Sequence, residues 1–338
     1  MIYRDCIALL GAELEPHRCA SLTIENGIIS ELDVVEPMNR IDKGATVLIP
    51  GLVNGHTHMG DAAFPDGATG LTLEQGFFRP HGFKYQELAK LDRSAHLESL
   101  CDALGYMAAT GTVAHIDFRE QGPEGARRLR EASQKTGVRS IILGQFDQVP
   151  FDDVRLEVNT ESLPELARQE LLELLEVADG FSESTMNDLT DPAWREIQKL
   201  TRSAGKARAI HCLENAGYRE LSLARTGLGD LERAIELYGP DLIVHLTVAD
   251  PEEIQRMAAS GITAVLNPRA NANLGLPLPP VAALLDAGVN LLLGTDNGLL
   301  NSPNLFAELD FTYKLAKSQY GDAVQPDPTA ILKMVTSN

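Results

Sequence analysis

From residue 47 onward the chain alternates short, unbroken apolar runs with longer stretches in which apolar positions recur every three or four residues. The runs lie at residues 47–53, 112–118, 138–146, 177–181, 207–212, 242–246, 263–266 and 290–293. Runs this short, bounded by turn formers, read as buried strands rather than helices. The stretches between them, among them 164–176, 192–204 and 251–259, carry apolar residues at helical spacing. They open at Pro164, Pro192 and Pro251, and proline suits a first helical turn. Strand and helix alternating eight times predicts an α/β fold, a closed (β/α)8 TIM barrel. An open doubly wound sheet is the competing architecture. The first 50 residues read differently: short apolar stretches at 21–24 and 27–29 are punctuated by Asn26-Gly27 and Lys43-Gly44, as strands joined by turns are. The expected organisation is therefore a β layer over residues 1–50, a partial sandwich, and a barrel over 51–338.

Composition narrows the partners. A chain of 338 residues with 44% hydrophobic content has enough apolar surface for one large core. Its 48 acidic against 29 basic residues, a net charge of −19, repel nucleic acid and anionic lipid. Small molecules or further copies of the chain are the expected partners. The four cysteines, Cys6, Cys19, Cys101 and Cys212, form no C-x-x-C pair, which argues against a zinc knuckle or a disulfide framework. The apolar run at 6–12 is too short to span a bilayer, and Asp5 stands where a signal peptide would be basic. No targeting segment is recognised, so no membrane is expected and the cytoplasm is the expected compartment.

The chemistry concentrates at the ends of the predicted strands. His56 and His58 stand two apart after the first, so strand alternation points both imidazoles to one side. His211 ends the fifth strand, His245 the sixth, and Asp296 follows the eighth in Gly294-Thr295-Asp296-Asn297. Barrel enzymes keep their active sites on the face where strands end, and four of the eight histidines fall there. Separate structural histidines capping buried strands are the bland alternative, which would have to hold at four strand ends together. Imidazoles plus one carboxylate leave a divalent ion an open position and acidify its water.

The order Pro-Gly-Leu-Val-Asn-Gly-His56-x-His58, then His211-x-x-Glu214, then His245, then Thr-Asp296-Asn, resembles the cytosine deaminase-like, chlorohydrolase branch of the amidohydrolase superfamily. The segment Asn267-Pro268-Arg269-Ala270-Asn271 with Leu274-Gly275 also resembles that branch. The resemblance implies a metal-dependent hydrolase acting on C–N bonds, with His56, His58, His211 and Asp296 as metal ligands. It implies Glu214 as proton shuttle, His245 as the residue orienting hydroxide or substrate, and Asp296 as proton acceptor. The expected reaction is deamination of a purine- or pyrimidine-type heterocycle by a hydroxide generated at the metal. Ring-amide or imidazolone hydrolysis is the alternative, and a non-catalytic barrel scaffold the reading of another class. One ion is expected, since residues 177–183 lack the lysine that binuclear members carboxylate; zinc comes first, with iron or manganese as alternatives.

Lesser candidates surround this set. Gln145, His81 and Asn297 are candidate substrate contacts. His115 and Asp117 share a strand face and are read as packing residues rather than a second metal pair; His17 and His96 as solvent-facing or structural. Cys212 should point away from the site. Glu214, three residues past His211, can reach the site only if the strand ends at Cys212 and the chain turns back; otherwise it caps the following helix. Members of the branch usually return after the barrel to complete the sandwich, so an unclosed layer, exposing edges and apolar surface, would favour homo-oligomers.

Overall fold

Short turns join neighbouring antiparallel strands, whereas parallel neighbours need a crossover, and the chain uses both devices in turn. The computed structural model describes residues 1–41 and 43–338. Its first strands, β1 (Ile2–Leu10), β2 (Glu15–Glu25) and β3 (Ile28–Pro37), form an antiparallel meander. β4 (Val47–Leu48) adds in parallel beside β1. Cys6, Ala8, Cys19 and Leu22 make the small apolar cluster of this layer, while Ile28, Ile29, Val34 and Val35 of β3 are exposed.

The remaining strands pair in chain order: β5 (Leu52–His58), β6 (Thr112–Arg119), β7 (Arg139–Gly144), β8 (Gly180–Glu183), β9 (Ala207–Cys212), β10 (Leu242–His245), β11 (Thr263–Leu266) and β12 (Leu291–Leu293). All are parallel. β13 (Asp296–Asn297) prolongs the eighth position and pairs with β5, Asp296 against Thr57 and Asn297 against His58, which closes the ring. The chain is thus a (β/α)8 TIM barrel with an added β layer. Ile116, Phe118, Leu143, Ala209, Val244 and Val265 fill the barrel. A larger cluster including Leu104, Leu129, Trp194 and Ile197 packs between strands and helices. No helix among the described residues is long and apolar enough to cross a membrane.

Two boundaries differ from the apolar pattern. The run at 47–53 is divided: β4 belongs to the layer, and the barrel strand begins at Leu52 and continues through His58. Polar residues can extend it because they are satisfied across the closing seam, where Asn54 Oδ1 accepts from Thr295 N at 3.1 Å and its Nδ2 donates to Thr295 Oγ1 at 2.8 Å. The run at 177–181 begins a helix's last residue too early, since Val177 ends the helix Glu165–Val177 and β8 starts at Gly180.

The seam is tight. A Cβ on Gly294 would stand 2.5 Å from Asn267 Oδ1 and 2.7 Å from His56 Cβ, closer than atoms in a packed core approach. Gly294→Ala should therefore lower unfolding free energy by about 1–3 kcal/mol, the usual cost of overpacking. Urea denaturation measures it; an unchanged midpoint would show that the seam yields freely.

Candidate metal centre and active site

Alternation along β9 sends Ala209 into the barrel and Ile210 into the outer core, so His211 faces inward and Cys212 outward. Cys212 is fully buried in the outer core. His56 and His58 point inward from β5, and the three Nε2 atoms converge: His211 Nε2 lies 3.3 Å from His58 Nε2 and 3.3 Å from His56 Nε2. Asp296 Oδ1 stands 3.4 Å from His56 Nε2 and 3.8 Å from His58 Nε2. His56, His58 and His211 could hold a metal ion together, as could His56, His245 and Asp296.

The far ring nitrogens decide what these imidazoles present. His58 Nδ1 contacts Glu120 Oε1 at 2.8 Å and the Phe118 carbonyl at 3.1 Å; His211 Nδ1 contacts the Glu183 carbonyl at 3.1 Å. Both partners are acceptors, so both Nδ1 atoms carry the proton and both Nε2 atoms direct lone pairs into the shared space. Burial pushes His56 down to about 3 and His211 well below the usual imidazole range, which keeps both rings neutral at physiological pH. The two lone pairs, facing each other at 3.3 Å without an intervening proton, repel. A cation between them removes the conflict, so the donor set fits a divalent metal ion.

Backbone strain places the remaining groups. Leu213, His245, Leu246 and Asp296 have φ of 54°, 83°, 55° and 63°, a region that costs non-glycine residues on the order of 1–3 kcal/mol. At Leu213 the strand stops and the chain turns, bringing Glu214 to the pocket wall. The helix Ala216–Thr226 is capped by Asn215, whose side chain accepts from Tyr218 N at 3.0 Å, and not by Glu214. Val244 fills the barrel interior, so regular pleating would turn His245 outward; its positive φ coincides with the turn that brings it inward. His245 Nε2 lies 3.7 Å from Glu214 Oε1, and its Nδ1 lies 3.2 Å from Asn271 Nδ2. Burial raises the Glu214 carboxyl above the usual carboxylate range. Burial alone would also raise Asp296, but its contact with His56 and the neighbouring imidazoles outweigh it and hold that carboxyl low.

The pocket over these groups has a volume of about 50 Å³ and is walled in part by Phe77, Lys84, Tyr85, Ser184, Tyr218 and Asn297. Asn297 donates from Nδ2 to Asp61 Oδ2 at 2.7 Å. Gln145 is fully buried, and neither of its amide atoms finds a partner among the described residues. Its N–H prolongs the ladder to the Arg119 carbonyl. Gln145 lies one residue past the end of β7 and is not among the residues that wall the pocket. His81 is exposed and outside the pocket wall. His115 is enclosed between Thr57 Oγ1 at 2.8 Å and Ser140 Oγ at 2.6 Å, and Asp117 accepts from Met59 N at 2.7 Å. Both belong to the packing of the strands. His96 is buried and touches the Gly60 carbonyl at 2.9 Å, while His17 lies on β2.

Two residues beside the site, Lys84 and Glu120, were not singled out from the sequence. Lys84 is buried, ion-paired to Glu120 and 3.4 Å from Asp61. Burial would raise Glu120, but Lys84, Arg119 and His58 hold its carboxyl well below the usual range. Glu120 follows inward-facing Phe118 by two, one residue past the end of β6, a periodicity that could have marked it. Lys84 depends on how the segment after β5 folds back, which no short pattern encodes.

Comparison with known proteins bears on this geometry. The chain is 37% identical over 341 residues to a protein of Methanothermobacter thermautotrophicus provisionally described as an aminohydrolase, covering 100% of this chain and 85% of that one. It is 29% identical over 310 residues to a 5-methylthioadenosine/S-adenosylhomocysteine deaminase of Syntrophobacter fumaroxidans, covering 88% of this chain and 67% of that one. A zinc-bound adenosine deaminase of Xanthomonas campestris superposes with a TM-score of 0.77 at 22% identity, covering 97% and 76% of the two chains. A zinc-complexed atrazine chlorohydrolase of Arthrobacter aurescens gives 0.76 at 15% identity, covering 99% and 81%; both likenesses show the fold. The amidohydrolase family model matches residues 47–338, and the chain belongs to the amidohydrolase family.

Proposed function

We propose that the chain catalyses hydrolytic deamination of an amino-substituted purine- or pyrimidine-type heterocycle, with one divalent ion, zinc first among candidates, held by His56, His58, His211 and Asp296. In this reading the barrel of residues 51–338 carries the chemistry. The observation that carries it is the pairing of two opposed functions across one pocket: three converging imidazole nitrogens with a carboxylate held low at Asp296, and a buried carboxyl raised toward its acid form at Glu214. Relatives named as deaminases support the same reaction class.

When bound, the ion supplies an acidified water at neutral pH. Asp296 takes the proton that this water sheds. His245, tethered at Nδ1 beside Asn271, keeps its Nε2 toward the pocket and orients the attacking oxygen. Glu214 donates its proton to the ring nitrogen beside the attacked carbon, so the electron pair displaced from the C=N bond is captured as N–H. The proton held by Asp296 then goes to the amino group, the proton of the added hydroxyl passes to the Glu214 carboxylate and restores its acid form, and as the carbonyl forms the C–N bond breaks and ammonia leaves. Asn297 offers an amide donor and acceptor to the ring edge. The same acid and nucleophile would open a ring amide, and identifying the product separates the two reactions.

Two outcomes are expected. With metal-loaded protein and a panel of aminopurines and aminopyrimidines, Glu214→Gln should reduce kcat for ammonia release by about 10²–10⁴-fold, the usual contribution of a positioned acid, with metal content unchanged. Undiminished release would remove Glu214 from the mechanism. Glu120→Gln should weaken metal binding by about 10–100-fold, as loss of a ligand's outer partner does. Competition with a chelator measures this without turnover, and equal affinity would mean that Glu120 does not orient His58.

A further inference from the structure

Glu214 and His245 reach the pocket from neighbouring strand ends, β9 and β10, and each does so through backbone that its residues do not adopt unaided. Leu213 has φ of 54°, His245 of 83° and Leu246 of 55°, the left-handed region that L side chains rarely occupy. Two such turns side by side persist only where the surroundings hold them. The holding bonds run between the turns themselves. Within the strands the register sets Val244 opposite His211 and His245 opposite Cys212. Past their ends Leu246 N donates to the Cys212 carbonyl at 3.1 Å and Val248 N to the Leu213 carbonyl at 3.2 Å.

Two buried side chains complete the grip on the peptide that carries Glu214. Thr247, on the turn after His245, has its hydroxyl 2.9 Å from the Leu213 carbonyl and 2.5 Å from the Glu214 carbonyl. From the opposite side, Asp230 Oδ2 accepts from Leu213 N at 2.8 Å. Asp230 is fully buried and opens the short helix Asp230–Arg233. That helix is itself fixed: Arg233 donates to Asp191 Oδ1 at 2.7 Å, to Asn187 Oδ1 at 3.1 Å and to Ser222 Oγ at 3.1 Å. Neither Thr247 nor Asp230 is part of the pocket wall; both turn their polar atoms to the backbone at residues 213 and 214. A backbone held at its N–H and its carbonyls leaves the Glu214 side chain a narrow choice of directions, and the one it takes sets Oε1 3.7 Å from His245 Nε2.

We propose that Thr247 and Asp230 are positioning residues for the proton shuttle: gripping the turn at Leu213 from its two sides, they aim the Glu214 carboxyl at the ring nitrogen. The proposal rests on the deaminase reading above. Asp230 secures the N–H before the turn and Thr247 the carbonyls after it, so the carboxyl is delivered from a fixed backbone. Because Thr247 shares its turn with His245, the acid and the orienting imidazole are also held at one mutual distance. An effect of this kind belongs to proton transfer and not to substrate capture, so it is read in kcat more than in KM.

The test removes the hydroxyl alone. On metal-loaded protein, with the panel compound that wild type turns over fastest, Thr247→Val should lower kcat by about 10–100-fold, the cost of a catalytic group displaced by about an ångström. KM should stay within about twofold. Thr247→Ser, which keeps the hydroxyl, and Asp230→Asn, which keeps an oxygen for Leu213 N–H, should each retain most of the kcat that Thr247→Val and Asp230→Ala lose. Placed on Glu214→Gln, Thr247→Val should add less than about twofold, since groups that act through one step are non-additive. A general loosening of the fold would instead cost activity equally in both backgrounds and weaken metal retention against a chelator, which loss of the clamp leaves unchanged. An unaltered kcat in Thr247→Val, or the same loss on Glu214→Gln, would overturn the clamp while leaving deamination intact. No ammonia from any compound with wild type would remove the deaminase reading. The clamp is then decided by a crystal structure of Thr247→Val, where an unmoved Glu214 carboxyl overturns it and one shifted away from His245 sustains it.

Discussion

The constraint on which the site depends is the mutual approach of three buried imidazoles, two of which, His58 and His211, face their Nε2 lone pairs into one space. His58 and His211 have no freedom to turn those lone pairs away, because Glu120, the Phe118 carbonyl and the Glu183 carbonyl occupy their other nitrogens. Burial removes the alternative of protonating His56 or His211. What the fold stores at the barrel mouth is thus an unfavourable arrangement of donors that a cation relieves. The surrounding charges keep that arrangement fixed: Lys84 holds Glu120, Asp61 approaches Lys84, and Asn297 donates to Asp61, so a chain of polar contacts links the surroundings of β5 and β13.

Much of this was legible in the chain because the barrel converts local order into spatial convergence. An H-x-H at one strand end and single polar residues at three others need only the knowledge that strands are parallel to be placed on one face. Glu214 was legible as a candidate but its approach was conditional, since three residues past His211 is the wrong spacing for a continuing strand. The turn at Leu213 resolves it, and leucine gives no hint that it will adopt positive φ. Lys84, Arg79 and Tyr218 were not legible for a different reason. Their positions follow from packing of the segment between β5 and β6 against β8 and the helix after β9, contacts spanning over a hundred residues in the case of Arg79 and Glu183. From that segment His81 was the residue singled out, yet the helix Phe83–Leu88 turns Lys84 inward and His81 stands outside.

The same segment ties chemistry to architecture. Arg79 anchors it to Glu183 and Ser184, and Phe77 and Tyr85 of the two short helices Leu73–Phe77 and Phe83–Leu88 wall the metal-side pocket. The segment is thereby anchored by ion pair and hydrogen bonds as one wall of the pocket.

The closing pair of strands has a further meaning for how the molecule comes into being. Asp296 reaches His56 only because β13 pairs with β5, and Thr57 and its partner Asp296 are 239 positions apart in the chain. Such distant pairing forms late, since the entropy of closing the intervening loop must be met before the contact repays it. A nascent or half-folded barrel therefore presents scattered histidines without Asp296 beside them, and the donor cluster that could hold a metal ion arises in the same event that completes the ring.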